Sequence, residues 1–193
     1  MKASRGLGSR PTASGGMRLA FDSRPAATAR GAGRYTRSLL TALRDTAPKD
    51  VEIVETHRPR RADVFHAPWM EGAALRSPCP MVVTLHDVDA LTRLSERLRC
   101  GGVHLRLRHL ALARATHVIA PTDAIADGAV SKLGLDRERV IVIPDAPDLA
   151  TCQPTSPEWG WEDVARATWR VYERARTEPA RPFIRSPRAA PVR

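Results

Sequence analysis

The residues best suited to chemistry stand at the ends of apolar runs. Met81–Leu85 (MVVTL) is short, β-branched and entered through Cys79-Pro80, which reads as a buried strand, and His86-Asp87 follow where it runs out. In open α/β sheets ligands bind outside the carboxyl ends of the strands. A histidine and a carboxylate placed there face a crevice, whereas mid-strand they would be buried and need partners. A plainer role for Asp87 is to cap the next helix, because Asp is a preferred cap. His66 ends another run, Ala62–His66 (ADVFH), so His66 and His86 share one sheet edge and form the single constellation among the six histidines. His104 and His109 are five apart and off a common helical face, and His117 lies inside a strand. H-x-x-x-H and H-E-x-x-H are absent, so no metal site is expected. A G-x-S-x-G elbow is absent too, which removes the nucleophile of that hydrolase chemistry.

Gly31-x-Gly33 is a second candidate. A glycine turn lets backbone approach a phosphate, and the N-terminus of a following helix favours anions. The pattern lacks a third glycine and lies ten residues beyond the first strand, which makes it a poor dinucleotide fingerprint. A flexible loop that merely enters a helix explains it equally well.

The elements that must position these residues alternate. Met17–Phe21, Val51–Val54, Ala62–His66, Pro80–Leu85, Thr116–Ala120 and Arg139–Ile143 read as strands. The helix after Gly31 carries Tyr35, Leu39, Leu40 and Leu43 on one face and ends before Pro48. Leu91–Arg99 and His104–Arg114 read as helices split by Gly101-Gly102, and another is capped by Thr122 or Asp123 and ended by Gly134. Such alternation predicts one α/β domain, a Rossmann-like doubly wound parallel sheet of about six strands in the order 3-2-1-4-5-6. The organisation read from the chain is a disordered segment at 1–16, the domain at 17–148, a linker at 149–160, a helix at 161–175 and a disordered basic tail at 176–193.

Composition restricts the function classes. The chain has 193 residues, 42% hydrophobic, and a formal net charge of +10. Residues 1–16 hold +3, from Lys2, Arg5 and Arg10, and residues 170–193 hold +5, from seven Arg against Glu173 and Glu178. The ends therefore carry +8, and the nearly balanced middle lacks a basic stripe interleaved with aromatics, so no specific nucleic-acid partner is expected. The tails could still hold an anionic surface, such as a membrane, by charge alone. Cys79, Cys100 and Cys152 form no C-x-x-C and are expected to be reduced thiols in a cytoplasmic protein. No apolar run approaches the roughly 18 residues of a membrane span, and the basic N-terminus has no apolar h-region, so it is not expected to act as a secretory signal.

Gly31–Leu43 (GAGRYTRSLLTAL), Ala62–Met70 (ADVFHAPWM), Val82–Asp87 (VVTLHD), Ala115–Ala126 (ATHVIAPTDAIA) and Arg139–Asp145 (RVIVIPD) occur in that order. Together they resemble the N-terminal half of a family 4 glycosyltransferase with the GT-B fold. The resemblance implies retaining sugar transfer from a nucleotide donor to a glycan or lipid-linked acceptor, without a metal or other cofactor, between two Rossmann-like domains. Members closest to this pattern often use GDP-mannose. By the same resemblance His86 reaches the donor sugar and Asp87 supports it. Gly31, Gly33, Arg34 and Tyr35 border the donor phosphates and the acceptor. Thr122, where the family usually has serine, lines the cleft; His66 is placed beside it by the shared sheet edge rather than by the resemblance.

The chain departs from the family after Asp145. The resemblance implies a second domain there, with two glutamates separated by seven residues, and no two glutamates of this chain have that spacing. Trp161–Ala175 (WEDVARATWRVYERA) nevertheless looks like the family's last helix, which returns to the N-terminal domain; Val164, Thr168, Val171 and Tyr172 form its apolar stripe. An internal deletion is the simplest account. The expectation is then a glycosyltransferase that is weak or inactive alone. The alternatives are a binding module or subunit completed by a donor-domain partner protein, and a basic anion or nucleic-acid binder acting through its tails. A peripheral place on the inner membrane face is compatible with the tails.

Overall fold

A computed structural model describes residues 16–28, 31–88, 102–146 and 159–178. The expected helix at 91–99, and most of the terminal and linker segments, lie outside the described residues. The strands are β1 (Met17–Phe21), β2 (Val51–Glu55), β3 (Val64–Ala67), β4 (Met81–Thr84), β5 (His117–Ala120) and β6 (Val140–Val142). The helices are α1 (Ala32–Asp45), α2 (Gly102–Ala113), α3 (Asp123–Leu133) and α4 (Trp161–Thr177). All strand pairs are parallel, and the architecture is the expected α/β Rossmann-like sheet.

The strand order corrects the expectation. The sheet runs β2-β1-β3-β4-β5-β6, not 3-2-1-4-5-6. The side chains explain the difference. β3 (VFHA) is buried on both faces and needs a neighbour on each side, whereas β2 (VEIVE) exposes Glu52 and Glu55 and tolerates an edge. Asp63 fixes the slot from below. Its N–H donates to the Arg18 carbonyl at 2.8 Å, and its Oδ2 accepts the Arg18 N–H at 2.7 Å, so β3 starts against β1.

Alternate side chains feed two cores. Leu19, Phe21, Val64, Val82 and Ile119 face α1 and α4. Phe65, Met81, Val83, Val118 and Ala120 face the other way, with Leu112 of α2 and Ala126 and Ala129 of α3. Burial on both faces accounts for the unbroken apolar runs of the central strands. The cap of α3 is Thr122, whose Oγ1 accepts the Ile125 N–H at 3.2 Å. Gly134, at φ +64°, ends that helix, with its N–H on the Val130 carbonyl.

α4 lies beside α1 and buries Val164, Ala165, Thr168, Trp169, Val171, Tyr172 and Ala175. The stripe is therefore wider than Val164, Thr168, Val171 and Tyr172 alone. Full burial of a large apolar side chain stabilises by about 1.5–3 kcal/mol, so this cover is a major part of one core. Polar contacts fix its register: Trp169 Nε1–H donates to Thr46 Oγ1 at 3.1 Å, at the end of α1. Trp159 Nε1–H donates to the Pro144 carbonyl at 3.0 Å, just past β6. At the far end of α4, Glu178 approaches the buried His117 ring at 3.4 Å. α4 thus begins at the carboxyl edge of the sheet and ends at the amino edge.

Candidate functional site

Three strand ends meet three helix starts at the carboxyl edge. A cavity of about 320 Å³ is lined by Gly31, Ala32, Arg34 and Tyr35 of the α1 entry, His86 after β4, Pro121 and Ile125 around the start of α3, Asp145 after β6, and Trp161 of α4. Gly31 turns the chain into α1 at φ +58° and ψ −127°, a backbone conformation that side-chain-bearing residues rarely adopt. The first turn of α1 carries no acidic residue, so its amino end presents positive partial charge to the cavity beside Arg34.

His86 is half-buried, and its ring meets Tyr35 edge-on at 4.6 Å between centroids. Its Nε2 lies 3.0 Å from the Pro68 carbonyl. A carbonyl only accepts, so Nε2 carries a proton; in a neutral ring Nδ1 is then left as an acceptor. Tyr35 is itself fixed by a 3.3 Å hydrogen bond between its hydroxyl and Thr84 Oγ1, and by the edge of Trp161 at 5.7 Å. Burial pushes the Tyr35 phenol well above its ordinary range.

His66 is brought near this group but not into it. The ring is fully buried on the α1 and α4 face, with Nδ1 against the Tyr172 hydroxyl and Nε2 3.0 Å from Thr84 Oγ1. Both nitrogens are satisfied, and burial pushes the imidazole down to about 3, with the neighbouring His86 acting in the same direction. The expectation that it faces the crevice is corrected: β3 alternation turns it inward, and it supports Thr84 and hence Tyr35 from beneath. Gly33 is also inside. A Cβ there would sit 2.2 Å from the Thr28 carbonyl and 2.6 Å from that of Pro25, so its role is to let a 3-10 turn at Arg24–Ala27 rest on α1. Asp87 and Thr122 are exposed and lie outside the cavity wall.

Asp145 and Trp161 are the residues the sequence reading missed as site residues. Asp145 is half-buried, and its Oδ1 has no hydrogen-bond partner among the described residues. Burial raises its carboxyl above the ordinary range, opposed by the positive charge that His86 carries when its ring is protonated and by that of Arg34. The rule that singled out His86 after β4 applies equally to Asp145 after β6, so the signal was present. Trp161 had no such signal, because its place depends on the return of α4. Among the described residues no group of three His, Cys, Asp or Glu side chains could hold a metal ion.

At the end of β1, Asp22 is buried and accepts three bonds from Arg24, two from its guanidinium at 2.8 and 2.7 Å and one from its backbone N–H at 3.3 Å, and one from Trp69 Nε1 at 3.0 Å. Burial pulls this carboxyl upward, but Arg24 and Trp69 outweigh it and hold the group below its usual range. It clamps the end of β1 to the segment after β3.

The family profile described as Glycosyltransferase Family 4 matches residues 22–151. The chain belongs to glycosyltransferase family 4. The matched span runs from Asp22 past Asp145 and contains every cavity residue except Trp161. A family 4 domain binds a sugar donor and an acceptor in general terms, and a cavity at the carboxyl edge is where a parallel sheet offers such binding. A comparison with curated proteins finds no match to the chain. No helix among the described residues is long and apolar enough to cross a membrane.

Proposed function

We propose that this family 4 chain takes part in retaining transfer of a hexosyl group from a nucleotide sugar to a glycan or lipid-linked acceptor, and that it contributes one wall of the reaction site. The observation that carries the reading is the convergence of the Gly31 turn, Arg34, Tyr35 and His86 on one cavity at the carboxyl edge of the sheet. His86, with Nε2–H committed to Pro68, offers Nδ1 to a sugar hydroxyl. Arg34 and the amino end of α1 offer positive charge where a leaving diphosphate develops negative charge. In this reading Asp87, Gly33, His66 and Thr122 act around the wall rather than on it.

The second part of the proposal is that the donor nucleotide is gripped by another body. It rests on the missing glutamate pair, for no two glutamates of this chain are separated by seven residues. The chain alone is then feeble or inactive, and a donor-domain partner protein restores transfer. GDP-mannose is the first donor to try.

The experiment is a titration of the full chain with GDP- and UDP-hexoses and with bare RNA, followed by a transfer assay with and without a family 4 donor-binding domain added in trans. Transfer that needs the added domain supports the proposal. RNA binding with no response to any nucleotide sugar in either arrangement overturns it in favour of a basic anion binder.

A further inference from the structure

Two buried imidazoles lie under one helix. Strand alternation turns His66 of β3, with Val64, and His117 of β5, with Ile119, onto the face that α4 covers, and both rings are fully buried. α4 meets each ring through a different residue. The Tyr172 hydroxyl is hydrogen-bonded to His66 Nδ1. Glu178, which caps the far end of α4, brings its Oε2 to 3.4 Å from His117 Nε2 while its Oε1 accepts from Arg174 at 2.8 Å. Neither nitrogen of His117 makes a hydrogen bond of normal geometry among the described residues.

We propose that α4 is an acid-released cover: proton uptake by His66 and His117 frees its second half, from Val171 to Thr177, from the sheet, while Trp161 keeps its place at the cavity.

Neither ring can be charged in place without losing its hydration. Around His66, His86 after β4 opposes the proton and Asp22 after β1 favours it. The Tyr172 and Tyr35 hydroxyls add no charge, because burial pushes both phenols up. Around His117, Glu178 favours the proton, whereas Arg174 of α4 and Arg139 just before β6 oppose it. Desolvation is the largest influence on both rings and holds them below the ordinary value of 6.5, His66 at about 3. Lifting the second half of α4 wets both imidazoles and restores their ordinary basicity. The open form therefore binds more protons, and acid favours it.

The two ends of α4 respond in opposite senses. Asp145 lines the cavity with Trp161, and burial raises its carboxyl. Protonation relieves that buried charge, so acid favours the closed arrangement at the Trp161 end. Opening then starts at Glu178. It removes Tyr172 from His66, which supports Thr84 and through it Tyr35. Protons taken up on the covered face of the sheet thus reach the cavity as a loss of support for its wall.

The test is amide hydrogen exchange of the full chain at about pH 7.5 and about pH 5.5, corrected for the intrinsic rate and read separately at Ala165–Trp169, at Val171–Ala175 and in β4. Release of His66 from about 3 to 6.5 raises the opening equilibrium about tenfold over that interval, and His117 adds to it. Protection at Val171–Ala175 is expected to fall at least about tenfold, protection at Ala165–Trp169 to fall less, and β4 to remain the better protected at both pH values. His117→Leu puts an apolar side chain where the ring makes no hydrogen bond of normal geometry, so it is expected to fold and to reduce the fall. The comparison of the two halves needs no variant. No fall at Val171–Ala175, a fall as large at Ala165–Trp169, equal protection of α4 and β4, or a fall unchanged in His117→Leu would each overturn the proposal.

Discussion

His66 and Tyr172, 106 residues apart in the chain, meet in the core through an imidazole Nδ1 and a phenol hydroxyl. The other ring nitrogen continues to Thr84, and Thr84 to Tyr35, whose ring lies against His86. One line of buried polar contacts therefore joins the C-terminal helix to the cavity wall. Buried networks of this kind stabilise when every member is satisfied and cost heavily when one is removed.

Tyr172→Phe leaves His66 Nδ1 buried without its partner. A loss of about 1–3 kcal/mol is expected, read as a lower urea midpoint at unchanged m-value. A chain ended at Gly160 should lose more, because it also uncovers Val64, Val82 and Ile119. In the full chain, amide exchange at Val164–Tyr172 should be slow. Fast exchange there, with no change in melting on truncation, would contradict the packing of α4.

Acid should weaken the fold through its buried histidines above the ordinary carboxylate range, although Asp145, raised by burial, acts in the opposite sense. Folded His66 is held down to about 3, whereas an unfolded histidine takes up its proton near 6.5. Between these values the unfolded state binds more protons, so stability falls as pH falls, by up to about 1.4 kcal/mol per pH unit. His117, pushed down by burial, adds in the same direction. Asp22, held below its ordinary range, loses its contribution only as pH falls below the ordinary carboxylate value of 3.8. Urea titrations from pH 7 to 4 should therefore slope less steeply in His66→Gln, and an equal slope would assign the effect elsewhere.

The two glycines should separate. Gly33→Ala forces a Cβ to within 2.2 Å of the Thr28 carbonyl, so the Arg24–Ala27 turn must move, at a cost of about 1–3 kcal/mol. Gly31→Ala meets nothing within 4 Å and carries only backbone strain, of order 1–3 kcal/mol. Faster amide exchange at Arg24–Ala27 is expected in the first variant and not in the second, which instead should disturb the cavity.

His86→Ala removes an acceptor at the cavity and little of the core. With a donor-binding domain supplied, transfer should drop at least tenfold, about 1.4 kcal/mol of transition-state stabilisation, while circular dichroism stays the same. An unchanged rate would take His86 out of the mechanism.

Much of the fold was legible because local chemistry agreed with it. Thr122 and Gly134 mark the ends of α3, and the runs at Met17, Met81 and His117 become strands buried on both faces. The strand order was not legible from alternation of elements alone. It depended on burial, since Glu52 and Glu55 mark β2 as an edge while VFHA demands two neighbours. In the site, the strand-end rule found His86 and would have found Asp145. It misread His66, because one residue of register decides whether a side chain at a strand's end faces the crevice or the core. Trp161 and Trp159 owe their positions to contacts made across the fold, which no local pattern encodes.

The late position of α4 in the chain also has a consequence during synthesis. Until Thr177 has been made, Val64, Val82 and Ile119 lack their cover, although the six strands are already available to pair. At about 5–20 residues per second, making the roughly 34 residues from Ile143 to Thr177 leaves that apolar face bare for about 2–7 s. Apolar surface exposed in this way favours aggregation, and slowing translation across residues 147–160 should raise aggregation of the nascent chain without altering the finished protein.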